Sequence, residues 1–493
     1  GVVLIPTKKA EKGIRRISYD FQYSLNQVNN IPQVLNAQEY INWVSTEGGV
    51  VDKSRIDAYY DGKTDTNWAD VAFENGYQAR HNVSFAGANN NGSLFASVSY
   101  LDNDGPIIGK QDRHQRLSAT INADYKIFDW LKFSTNNSFA RFEATRVREG
   151  GMYSMLSSVL QMDPLTPVIY KKDQLPLPIQ NIVDQGHLFL TDENGDYYSM
   201  SVFQESNNIN PYIMRDGYQQ SSDGVNLHGA TALDFTFLKG LTFTSRIGYD
   251  YNNRAAYNLQ WPHMVNTDTA ADYVTIAASN SNNLYYQWEN FANYVTTFAQ
   301  KHHLTAMAGM SFSQRETFDV TGQIAGTSPT NLGISKLDRN YAYFANQTGT
   351  ATRTVSGGEK IYRSDLSYFG RVSYDFDNKY FLQVSLRADA ADLSILPLNK
   401  LWGYFPAVSA GWTISRENFF RNLGLNNVIS HLKLRASWGQ NGSIAGLGNY
   451  MYASTIASDV QYPMAATGVS YQVGSHPSST GNYNLKWEAS EQL

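Results

Sequence analysis

From Leu117 to Phe139 the chain alternates strictly between apolar and polar positions. Leu117, Ala119, Ile121, Ala123, Tyr125 and Ile127 are separated by Ser118, Thr120, Asn122, Asp124 and Lys126. A break at Phe128-Asp129-Trp130 follows, and Leu131 and Phe133 resume the alternation around Lys132 and Ser134. Successive side chains of a strand point to opposite faces, so this is a two-faced hairpin with a very short turn. The unit recurs, and the test of alternation predicts about fourteen strands. The first covers Ile17 to Leu25; two flank Asn89-Asn90-Asn91-Gly92, where glycine suits a hairpin turn. Further pairs are Val225–Phe237 with Leu241–Asp250, Leu284–Phe298 with Leu304–Phe312, and Leu366–Phe376 with Tyr380–Leu386. Tyr404–Ile414 and Leu432–Trp438 follow, and Trp487 opens a last strand.

The connections fall into two classes that alternate. Short turns lie at Asn90, Asp129, Lys239, Lys301 and Asn378. Long connections run over Asn26–Ala79, Arg141–Gly224, Asn252–Asn283, Gln314–Ile361 and Gln440–Tyr483. This asymmetry, with strands near the ~9–11 residues that a tilted membrane strand needs, predicts a transmembrane antiparallel β-barrel with long extracellular loops. A soluble sandwich has shorter strands, and a β-helix needs a fixed short repeat. The loops carry helix signals. Asn36 as N-cap with Glu39 three residues on forms a capping box before Tyr40, Ile41 and Val44, closed by Gly48-Gly49. Met152–Leu160 predicts a second short helix, and Phe419-Phe420 a helical turn.

Composition adds three exclusions. Mean hydropathy is -0.41 and no apolar run approaches the ~18 residues of a membrane helix, which excludes a helical membrane protein but not a barrel. The net charge of -5, without a basic cluster, gives no electrostatic case for nucleic acid. The catalytic inventory is empty: there is no nucleophile elbow and no phosphate-binding loop, so the chain is read as a non-enzyme without cofactor. His302-His303 are adjacent in a strand and cannot converge on one metal ion. Asp192-Glu193-Asn194-Gly195-Asp196 resembles a calcium loop, but its sixth and twelfth positions hold Tyr197 and Phe203, so a solvated turn is expected. Asp389 and Asp392 are expected to cap a loop. Aromatics make up 13% of the chain, mostly tyrosine, which suits interfacial girdles and the stacking of sugar rings alike. The candidate substrate-contacting residues are the loop aromatics Trp68, Tyr197, Tyr212 and Trp261.

Several blocks resemble the SusC/RagA family of TonB-dependent outer-membrane transporters of Bacteroidota. Gly1-Val2-Val3-Leu4-Ile5-Pro6-Thr7-Lys8-Lys9 resembles its plug-to-barrel junction, with Pro6 in place of the usual threonine. Leu35–Tyr40 resembles its first-loop helix, and Asn67-Trp68 with His81–Phe85 the approach to the second strand. Tyr368–Tyr374 resembles a further barrel block. Trp402–Trp412 is the most specific match, followed by Leu432–Gly442 and Asn484–Glu488. Within the Trp402 block, Trp402, Tyr404 and Trp412 are expected to fix barrel packing. The resemblance implies part of a 22-stranded plugged barrel. Residues 1–13 would be the end of the plug and the junction, and residues 14–493 the N-terminal two-thirds of the barrel. It also implies active import of an oligosaccharide, or a peptide, driven through the TonB-ExbB-ExbD complex. A SusD-like surface lipoprotein would be the partner, and SusC–SusD pairs can dimerise. The rival is a passive porin or a surface adhesion barrel; an apolar strand ahead of the first barrel strand, Gly1 to Lys9, argues for a plug instead.

Overall fold

The computed structural model describes residues 13, 15–29, 31–47, 52–149, 154–204, 208–327, 352–424, 427–463 and 471–493. Gly1 to Lys9 and Gly48-Gly49 lie outside them. One antiparallel sheet of 14 strands follows chain order without a crossover. We number its strands β1 (Arg15–Asn26), β2 (Gly76–Ala88), β3 (Gly92–Asp104), β4 (His114–Phe128), β5 (Leu131–Arg146), β6 (Tyr218–Leu238) and β7 (Leu241–Gln260). They continue as β8 (Val274–Phe298), β9 (His302–Thr327), β10 (Thr352–Phe376), β11 (Tyr380–Ala390), β12 (Trp402–Trp412), β13 (Leu434–Ser443) and β14 (Glu488–Gln492). Nearest-neighbour order is what short hairpin turns dictate. At Asp377-Asn378 both residues have φ of 55°, the primed turn that acidic and amide side chains tolerate, and Asp375 Oδ1 accepts the Asn378 N–H at 2.7 Å.

The alternation read from the sequence becomes two faces. On β1, Ile17, Tyr19, Phe21, Tyr23 and Leu25 are all more than half exposed on one side. On β4 the outward set is Leu117, Ile121, Tyr125 and Ile127, whereas Asn122 is buried on the other side. Exposed apolar rows on neighbouring strands across most of the sheet are tenable only against lipid. Stacked rings ring the short-turn end: Trp130 lies 5.4 Å from Phe128 and 5.7 Å from Phe237. Trp402 and Tyr404 are 40% and 62% exposed on the outward face, so they belong to the lipid-facing belt and do not fix internal packing; Trp402 stacks on Tyr368 at 6.0 Å. Trp412 instead donates its Nε1 to Glu417 Oε1 at 3.2 Å, beside the helical turn Asn418–Asn422.

The wall is taller than the sequence suggests. β8, β9 and β10 have 25, 26 and 25 residues, against 11 in β11. Much of what reads as the loops Asn252–Asn283 and Gln314–Ile361 is therefore strand. Above the membrane both faces meet water, so alternation fades while the hydrogen-bond ladder continues. The last long loop also contains a separate hairpin, Thr455–Pro463 with Tyr471–Ser479.

Candidate functional site

Two structures stand where a ligand would pass: a cap built from loops and a polar hollow in the inner face of the wall. The cap's first helix, α1 (Ala37–Glu47), starts as its capping box demands, with Asn36 Oδ1 accepting the Glu39 N–H at 2.9 Å and Glu39 Oε2 accepting the Asn36 N–H at 3.1 Å. Tyr40 and Val44 face inward from it. The short helices Trp68–Ala72, Met155–Gln161 and Pro211–Asp216 pack on one another and share an apolar core with Leu165, Ile179, Met200 and Met264. Several separate loops thus close over one core, which gives the cap the character of a folded body.

Buried polar groups tie this core together. Asp163, 1% exposed, accepts the Leu165 N–H and the Thr166 hydroxyl, each at 3.0 Å, and burial pushes its carboxyl above the usual range. Asn210 Nδ2 donates to Val168 O at 2.9 Å. Burial pushes the Tyr40 phenol up to about 12, and its hydroxyl accepts from Gln204 Nε2 at 3.0 Å. The Asp192–Asp196 segment is a turn: Asp192 Oδ1 accepts the N–H groups of Asn194 and Asp196, both at 2.9 Å. Lys171 Nζ, 2.6 Å from Asp196 Oδ2, holds that carboxyl below its ordinary value. Asp392 caps its loop, accepting the Ser364 and Ser394 N–H groups at 2.7 and 2.8 Å, and Asp389 pairs with Arg387 at 2.7 Å.

Of the predicted loop aromatics, Trp68, Tyr197 and Tyr212 pack in this cap and Trp261 packs against the upper wall. Trp68 is 1% exposed and donates Nε1 to Asp163 O at 2.7 Å. Trp261 is 7% exposed among Leu259, Val274, Ile276 and Ile324. Tyr212 lies under the Arg215 guanidinium at 4.5 Å and meets Tyr198 edge-on at 5.4 Å. Tyr197 packs on Phe189 at 5.0 Å. The structure brings none of the four to the hollow in the wall.

That hollow is an open concavity of about 980 Å³ on the inner face of β1 to β9. Its lining includes the inward side chains of Asn82, Asn122, Asn136, Asn252, Asn283 and Gln287, with Phe95 and Tyr285 among its rings. Arg80, Arg246 and Arg315 balance Asp20, Asp250 and Glu289. Arg246 Nε donates to Glu289 Oε2 at 2.7 Å, and Gln287 Nε2 bridges Glu289 Oε1 and Ser311 Oγ at 3.2 and 2.9 Å. His228 Nδ1 lies 3.2 Å from Asp250 Oδ2, and Arg315 sits 5.2 Å over the Tyr285 ring. Such a surface offers donors and acceptors with little net field. The alternation in the sequence places these residues inside, but a polar inner face is common to barrels and singled none of them out.

No family model matches the chain. It is 25% identical over 498 residues to TonB-dependent receptor P39 of Formosa agariphila, covering 100% of this chain and 42% of the relative. It is 26% identical over 499 residues to TonB-dependent receptor SusC of Bacteroides thetaiotaomicron, covering 99% of this chain and 45% of SusC. The chain is SusC/RagA-like. Its strands are those of an outer-membrane barrel. The RagAB peptide importer in its closed-closed state superposes with a TM-score of 0.69 at 20% identity, over 98% of this chain and 52% of that one. The SusC/RagA-like chain thus spans less than half the length of the curated relatives it matches.

Two outcomes are expected of the cap. Trp68→Ala removes a fully buried indole, at a cost of about 3–5 kcal/mol; limited proteolysis should then cut within residues 52–72 and 154–217 while the barrel keeps its heat-modifiable migration. The second concerns His263, 1% exposed, whose Nδ1–H donates to Trp261 O at 2.6 Å while Nε2 is buried without a partner. Burial lowers its pKa, so the folded cap holds it neutral while the unfolded chain takes up a proton below about pH 6.5. Stability at this junction is full above that pH and falls as the solution is acidified. Amide exchange over residues 261–271, corrected for intrinsic rates, should rise between about pH 7 and pH 5, and His263→Gln should flatten the response.

Proposed function

We propose that this chain is the wall and cap of an energised outer-membrane importer for neutral oligosaccharides, working beneath a SusD-like surface lipoprotein. Residues 1–13 are assigned to the end of a plug and its junction, and residues 14–493 to the N-terminal two-thirds of a barrel closed by further strands. Closure is a physical requirement, because among the described residues β1 and β14 each pair with one neighbour, and hydrocarbon tolerates no unpaired ladder. The observation that carries the substrate reading is the hollow. Its density of side-chain amides matches the hydroxyls of a sugar chain, and three arginines offset three carboxylates. A charged ligand would gain little from so balanced a lining. RagAB is a peptide importer, and peptide is the second reading. Peptides also use amides, but their charged termini and side chains favour a wall with a net field.

No nucleotide energy is available at the outer membrane, so work must arrive mechanically from the inner membrane, through TonB-ExbB-ExbD acting on the plug. Import then depends on differential affinity: the closed state binds, and remodelling of the plug releases. The test is uptake by cells making the full-length protein, comparing labelled neutral oligosaccharides with peptides of similar mass. Saturable oligosaccharide uptake that a protonophore abolishes is expected. The double substitution Asn122→Ala with Asn136→Ala should raise the half-saturation concentration about tenfold, as the loss of one or two hydrogen bonds predicts. Uptake restricted to peptides overturns the substrate reading. Uptake that persists without proton-motive force overturns active import in favour of a passive porin.

A further inference from the structure

The hollow has a shape that its residue types alone do not show. On β3 the inward positions Phe95, Ser97, Ser99 and Leu101 run long, short, short, long along the strand. The register repeats this on the next two strands. β4 places Asn122, Thr120, Ser118 and Arg116 opposite them, and β5 places Asn136, Ser138, Ala140 and Phe142 opposite those. Short side chains therefore line up across three strands as the floor of a trough, and longer ones stand along both sides as banks. From Phe95 to Leu101 the banks lie six residues apart, about 20 Å between backbones. Ser84 of β2, opposite Ser97, carries the floor one strand further.

At its other end the floor stops. Beyond Ser138 the same row rises to His228 on β6, Asp250 on β7 and Tyr285 on β8. These side chains hold one another in place. His228 Nδ1 lies 3.2 Å from Asp250 Oδ2, and the Tyr285 hydroxyl donates to Gln287 Oε1 at 3.1 Å. One bank is anchored as well: the Phe142 ring lies over Gly224 of β6, where a Cβ would come within 2.7 Å of it.

We propose that this trough holds one linear oligosaccharide lying across the strands, with one terminus against the His228–Asp250–Tyr285 wall, and that it rejects branched isomers. The inference rests on the reading of the hollow as the cargo site and adds the shape of the cargo. Floor positions step from strand to strand at about 4.8 Å, close to the repeat of an extended pyranose chain. A peptide laid along the same line offers same-side groups about 6.8 Å apart, out of step with the floor. Hydroxyls both donate and accept, so Ser84, Ser97, Thr120 and Ser138 can pair with sugar hydroxyls in either sense. The Tyr285 ring offers an apolar face to a terminal sugar ring. A branch has no place on the floor: it meets Phe95 and Asn122 on one side, or Leu101 and Arg116 on the other.

The 493 residues contain no cysteine, so a single introduced cysteine is unique within them. Ser97→Cys and Thr120→Cys are made separately in the full-length protein, with Ser409→Cys on the inner face of β12 as the position outside the trough. The rate of reaction with a bulky maleimide is followed by mass spectrometry, alone and with linear or singly branched hexasaccharides of glucose, mannose, xylose and fructose. The linear form of at least one sugar should slow the reaction about tenfold at 97 and 120, and its branched isomer by less than about twofold, with no change at 409. Modified Ser97→Cys, its floor filled, should need about tenfold more of that sugar for half-maximal uptake. Modification follows folding, so the result does not depend on a bulky variant reaching the membrane. Equal protection by the branched isomer overturns the selection for linear cargo. A sugar that is taken up but protects neither floor position, or floor cysteines that fail to react without sugar, overturns the trough while the importer reading stands. Uptake of no saccharide at all overturns the cargo reading beneath it.

Discussion

The backbone hydrogen bond in hydrocarbon is the interaction on which everything else here depends. A peptide group left unpaired in lipid costs several kcal/mol, so a spanning sheet must satisfy each rung from a neighbour. That single demand explains the sequential order of the fourteen strands and the tight turns at Asp377-Asn378 and its counterparts. It also explains why apolar side chains can lie outward: with the backbone satisfied, the outer face needs only to match the solvent it meets. The inner face is then free to be polar, and the amide-lined hollow occupies that freedom.

Where the wall leaves the membrane, the demand relaxes and the architecture changes. Strands β8 to β10 continue upward as a ladder in water, and the loops gather their apolar residues into a core of their own. Loops as long as those between β1 and β2, or β5 and β6, would be costly to hold open as bare chain. Burying Trp68, Met155, Ile179, Met200 and Met214 between them offsets that cost. The cap and the hollow therefore divide the labour: one is apolar inside and fixed in shape, the other is polar and open.

How much of this could be read from residues alone follows from the same physics. Strands within the membrane have two different solvents on their two faces, so Leu117–Phe139 shows its fold at sight. The short turns and the capping box at Asn36 are local chemistry, and they stand where the sequence puts them. The upper parts of β8 to β10 were illegible because water on both sides removes the alternation. Trp68 and Trp261 carried an ambiguous signal: an aromatic in a polar loop suits either a ligand or a core, and only the three-dimensional neighbours of Trp68 at Asp163, and of Trp261 at Ile276, place it in a core. The wall residues Asn122, Asn136 and Arg246 were visible as inward-facing, but the sequence does not say which inward positions from separate strands meet at one height.

The central claim is that one face of the sheet meets lipid and the other an aqueous lumen. Nitroxide labels on single cysteines at four consecutive positions of β4, Thr120→Cys to Ala123→Cys, test it most directly in the full-length protein in bilayers. The account predicts a period of two: labels at 121 and 123 relaxed by oxygen, and labels at 120 and 122 by a water-soluble nickel chelate. Equal accessibility to the chelate at all four positions would contradict a membrane-spanning wall and return the chain to a soluble sheet.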